Sequence, residues 1–333
     1  MFPMEPRDMS SPKSRVKSFF YGDAAENKHA AWLIFSVYTL LLLSRLIDAF
    51  FLTAENAYLS TILLQLLIFP IPAYFYIRLR GKALTGKLAL RPPALSHLFL
   101  VISSILMLIC GCTLLALVCG MMNAQPSFTL YDTFASLHDG TAEASVRLVL
   151  AYGLLPAFCE ELLFRGILCA EYEKRGILYA SLLSSLFFAF LHFDLTALPV
   201  YLFAGLLLSA VRYVTRSVIA SMIVHLGYNL FGIFVQAGLS GYCRSTGSLG
   251  LLVILLIALL LLSSAFFCGE VSRILKRRGS RDYLDDPSAL STPGLNTLPA
   301  KAWFPTLGRA FACPQAIAAI LLWLFGVIVS FIR

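Results

Sequence analysis

Charge is scarce in this chain: of its 333 residues only 13% are Asp, Glu, Lys or Arg, while 59% are hydrophobic. An ordinary soluble domain carries about 25% charged residues, so the composition excludes one and points to a polytopic membrane protein. Eight cysteines form no CxxC pair and no zinc-ribbon spacing. Most lie in apolar runs, where cysteine behaves as a small hydrophobe, so neither a disulfide framework nor a cysteine metal site is expected. No HExxH, the compact zincin signature, is present. Residues 1–29 are polar and mixed in charge, so no cleavable secretory leader is expected, and there is neither a myristoylation start nor a C-terminal CaaX box. Internal repeats and inverted pairs of Gly/Pro-broken spans are also missing, which counts against a secondary transporter. The formal net charge is +8, but the cations fall between apolar segments rather than along one face, so no nucleic-acid partner is expected.

What is present is a series of apolar stretches near the 20 residues a transmembrane helix needs. Ala30–Thr53, Tyr58–Ile77, His97–Met121, Gly250–Phe267 and Ala312–Ile332 are uniform. Val146–Ala170, Ile177–Phe193, Thr196–Val214 and Val218–Ala237 carry nearly all the polar residues of chemical interest. The pattern predicts an all-α transmembrane bundle of eight to nine spans, with the site on spans four to seven. The expected layout is a cytoplasmic tail (1–29), N-terminal helices (30–122), a core (146–237), an eighth span (250–268), a linker (269–311) and a last helix (312–333). Alternate connections are basic, among them those holding Arg78, Arg80, Lys82, Lys87 and Arg91, or Arg273, Lys276, Arg277, Arg278 and Arg281. The positive-inside rule then puts the N-terminus in the cytoplasm and, for nine spans, the C-terminus on the opposite side. Gln125–Arg147 reads as an external loop, and the last span as an appendage to the core.

Three polar groups stand out. In Phe158-Cys159-Glu160-Glu161-Leu162-Leu163-Phe164-Arg165, Glu161 and Arg165 are i and i+4 and can pair on one helix face. Glu160 lies about 100° round the helix and has no basic residue three or four places away. An ionisable group at membrane depth costs about 2.5–3.5 kcal/mol on insertion scales, so a carboxylate kept there without a partner invites a functional reading. Pro156 can kink the helix one turn earlier. The second group is Phe188 with His192, and the third His225 with Asn229, each pair i and i+4. Taken singly, these are consistent with a structural ion pair, a histidine bonded to a carbonyl, and hydrogen bonding between helices. Together they form an inventory for activating water: a carboxylate as general base and imidazole and carboxamide N–H groups for an oxyanion. Glu160, His192 and His225 could also ligate zinc, which in catalytic sites takes three protein ligands plus water.

EExxxR, FxxxH and HxxxN on successive spans resemble the signature of the CPBP intramembrane proteases, the family of type II CAAX-prenyl proteases and the Abi bacteriocin proteins. The resemblance covers roughly Val146–Gln236. It implies hydrolysis of a peptide bond inside a membrane-embedded cavity, on a peptide or prenylated-protein substrate and in contact with lipid. It further implies that Glu160 activates water beside His192, that His225 and Asn229 bind the oxyanion, and that Glu161, Arg165 and Phe188 orient the site. The family is often labelled metalloprotease, but no cofactor is required by these residues and Asn229 suits an oxyanion better than zinc. The alternatives are a non-catalytic scaffold or bacteriocin-immunity protein of the same fold, and a transporter using Glu160 as proton carrier.

Overall fold

The computed structural model describes residues 29–44, 57–122, 141–285 and 302–332. The expected cytoplasmic tail, most of the expected external loop and residues 286–301 of the expected linker lie outside them. Among the described residues the protein is all-α. The helices include α1 (His29–Ser44), α2 (Ala57–Ile68), α3 (Pro70–Arg80), α4 (Leu98–Met122), α5 (142–172) and α6 (Ile177–Leu191). They continue with α7 (Leu198–Thr215), α8 (Val218–Phe231), α9 (Leu249–Asp285), α10 (Trp303–Phe311) and α11 (Pro314–Ile332).

Local chemistry sets the boundaries within the core. Thr141 caps α5 by accepting from Ala144 N at 3.1 Å, and Ser217 caps α8 by accepting from Ala220 N at 3.1 Å. Gly176, at φ 109°, makes the turn from α5 into α6, a conformation that needs glycine. After α6, Phe193 takes a left-handed φ of 52°. Asp194 Oδ1 then accepts from Thr196 N at 2.9 Å and Ala197 N at 3.1 Å, which fixes the entry to α7. Helices α5 to α8 pack together through Phe164, Leu168, Phe187, Phe188, Leu208 and Val224, all buried.

Among the described residues five helices are long and apolar enough to cross a membrane, or six if the pair Trp303–Phe311 and Pro314–Val329, bent by 75°, counts as one. The structure therefore carries several membrane-spanning helices but does not reach eight to nine by that criterion. His29–Ser44 and Ile177–Leu191 are apolar but shorter, and α5 is divided into several segments.

Two expectations about the chain's end differ from the structure. The eighth span does not give way to a linker at Gly269: α9 runs on to Asp285, 37 residues in all. One glycine costs a helix only about 1 kcal/mol. Beyond it Arg273 pairs with Glu270 and donates to Ser96 O at 2.6 Å, which ties the extension to the segment before α4. Nor does the last span hang free of the core. Phe311 lies 5.4 Å from Phe187 and Trp323 lies 4.7 Å from Phe190, ring to ring. Gly326 is seated so closely on Phe193 that a Cβ there would stand 2.4 Å from its ring.

Candidate active site

The residues Leu155–Glu161 form a short α-helical stretch between two wide π turns, Val149–Leu154 and Leu162–Leu168. Such turns are rare and recur at functional sites. Pro156 supplies a local cause for the first, because it has no N–H to return to the carbonyl four residues earlier. Beside that turn the Gly153 carbonyl accepts from Asn229 Nδ2 at 3.2 Å, which holds α8 against α5.

Glu161 and Arg165 are fully buried. Arg165 Nη1 donates to Glu161 Oε1 at 2.6 Å, as the i,i+4 spacing predicts. The same oxygen meets His225 Nδ1 at 3.0 Å, a link that spacing along the chain could not reveal. A carboxylate can only accept, so the Nδ1 of His225 carries the proton. Glu161 Oε2 and Arg165 Nε are buried without a hydrogen-bond partner. Arg165 Nη2 reaches across to the Gly205 carbonyl at 3.1 Å. That carbonyl is close because α6 and α7 nearly touch: a Cβ on Gly205 would sit 2.7 Å from Ser185 Cβ. The guanidinium also lies 4.3 Å over the ring of Phe188, a cation–π contact.

Phe188 links the parts. Its ring is edge-on to His192 at 5.1 Å and to His225 at 6.0 Å, and it packs on Phe164 at 5.4 Å. His192 sits just past the end of α6 with Nδ1 3.0 Å from the Phe188 carbonyl. A carbonyl also only accepts, so this Nδ1 is protonated too. Tyr201 of α7 stacks on the His192 ring at 3.6 Å with an interplanar angle of 12°. Nothing in the sequence pattern singles out Tyr201.

Glu160 is half-buried. Its carboxylate has no hydrogen bond or ion pair among the described residues, yet it feels His225, Glu161 and Arg165 electrostatically. The structure thus brings Glu160, Glu161, Arg165 and His225 into one cluster, and His192 joins it through Phe188. Asn229 borders the cluster from the same helix as His225. Among the described residues no group of three or more His, Cys, Asp and Glu side chains is placed to hold a metal ion.

Residues 142–231 match the family model described as Type II CAAX prenyl endopeptidase Rce1-like. The matched segment contains every residue of the three motifs, and the resemblance to that family holds over it. Neither curated proteins nor solved structures give a match.

Proposed function

We propose that the Rce1-like segment makes this protein an intramembrane endopeptidase in which Glu160 activates the attacking water. The observation that carries the reading is a carboxylate with no hydrogen bond or ion pair among the described residues, one residue from a second carboxylate tied to Arg165 and His225. Glu160 takes a proton from water, and the oxygen attacks the carbonyl carbon of the scissile bond. The same carboxyl then returns the proton to the leaving amine, which yields one new carboxylate and one new amine. Asn229 uses one amide hydrogen on Gly153 and keeps the other for the developing oxyanion. His225, with Nδ1–H committed to Glu161, donates from Nε2 only as the imidazolium. Glu161 and Arg165 act by holding that ring and the helix beneath it.

The step is written without metal, since Asn229 suits an oxyanion better than zinc. Substrates of the prenylated CaaX type follow from the family description, and lipid is the surrounding solvent. The proposed topology has nine spans: the five long helices, the bent pair, α1, α6 and α5 together give that number. Basic connections then face the cytoplasm, where the N-terminus lies.

The test is cleavage of a farnesylated CaaX peptide by the purified protein in detergent, with mass spectrometry locating the cut. Cleavage that survives a strong chelator supports the reading. Cleavage lost on chelation and restored by zinc overturns the metal-free step, and a wild-type protein that never cuts the peptide leaves the non-catalytic scaffold as the better account.

A further inference from the structure

We infer that Tyr201 is a positioning residue for His192, and hence that α7, which bears none of the three motifs, sets the reactivity of the site. The inference rests on the hydrolase reading and adds a residue to it. His192 stands outside α6, where helical packing no longer holds a side chain. Its ring is nonetheless restrained by the Phe188 carbonyl on Nδ1 at 3.0 Å, by the Phe188 ring edge-on at 5.1 Å, and by the Tyr201 ring face-on at 3.6 Å. The first two come from the helix that His192 terminates and would follow it if that end shifted. The Tyr201 stack reaches His192 from another helix. α7 is in turn fixed to the ionic cluster, because Gly205, one turn after Tyr201, gives its carbonyl to Arg165. The chain Arg165–Gly205–α7–Tyr201–His192 therefore sets the plane of the imidazole and with it the direction of Nε2, which the hydrolase reading places beside the attacking water. An aromatic ring is needed at 201 because a near-parallel stack fixes a plane, whereas an aliphatic side chain fills the space and lets the imidazole turn.

The experiment compares Tyr201→Phe, Tyr201→Leu, Tyr201→Met and Glu160→Gln with the wild type on a farnesylated CaaX peptide, reading kcat, KM and the thermal midpoint. The expected result is that Tyr201→Phe keeps wild-type kcat while the Leu and Met variants lose about tenfold in kcat, the rate equivalent of a stacked aromatic pair, with KM and midpoint unchanged. If Leu fails to fold, Met carries the comparison. The inference is overturned if Leu and Met match the wild type, if KM rises while kcat holds, or if Phe is as impaired as Leu, which would place the effect in the hydroxyl. A Glu160→Gln variant of full activity would instead overturn the hydrolase reading itself.

Discussion

At the C-terminal end of α5, Glu171 accepts from Arg80 on both oxygens, at 2.7 and 2.9 Å, and from Tyr76 at 3.1 Å. Glu173 beside it meets Lys87 at 3.7 Å through one oxygen and Arg212 at 3.2 Å through the other. About three turns earlier on the same helix, Glu161 takes both of its donors, Arg165 and His225, on Oε1 alone. It leaves Oε2 buried and unpartnered, and Glu160 has no hydrogen bond or ion pair among the described residues. Both clusters bind helices together with carboxylates and guanidinium groups. In the outer cluster each carboxylate oxygen is matched, as a structural tie requires, since an unmet buried polar group costs about 1–3 kcal/mol. The inner cluster is left incomplete on the carboxylate side, and under the proposed function that is where water and substrate enter.

Substitutions separate the two. The largest stability effect is expected from Glu161→Ala, which strands Arg165 in a fully buried position. Removing one partner of a buried pair costs about 3–5 kcal/mol, so both yield and cleavage fall, as thermal unfolding and peptidase assay will read. Glu171→Ala in the outer cluster costs less, about 1–3 kcal/mol, because Arg80 is partly exposed. Here the midpoint drops while activity per folded molecule is retained. Loss of chemistry in proportion to that of Glu161→Ala would erase the distinction between the clusters. Gly205→Ala places a Cβ 2.7 Å from Ser185 Cβ and forces α6 and α7 apart at a cost of about 1–3 kcal/mol. Since the Gly205 carbonyl holds Arg165, activity declines along with stability. Smallest is Arg273→Ala on α9, which breaks a partly exposed pair with Glu270 of the kind that contributes little to stability, with a midpoint shift near the limit of detection.

Much of the inner cluster is legible in the sequence because its logic is local. Glu161 and Arg165 are one helical turn apart, and so are Phe188 with His192 and His225 with Asn229, so the spacing alone pairs them on faces. The partners that complete the arrangement are not legible. Glu161 with His225 spans 64 residues and Arg165 with Gly205 spans 40, while Tyr201 is one aromatic among many. They depend on how closely α6 and α7 approach, which the lack of a Cβ at Gly205 decides. The ends of the chain misled for a similar reason. Gly269 and the charges after it read as a break, yet the Glu270–Arg273 pair and the Ser96 carbonyl carry α9 through. An apolar last span looks detachable until Trp323 and Gly326 are seen seated on Phe190 and Phe193.

The central claim is that the carboxylate without a partner does the chemistry. Purified Glu160→Gln, which keeps the shape and loses the base, is to be compared with the wild type for single-turnover cleavage of a farnesylated CaaX peptide. The account predicts a rate lower by about 10²–10⁴-fold with an unchanged thermal midpoint. A Glu160→Gln protein that cuts at the wild-type rate contradicts it.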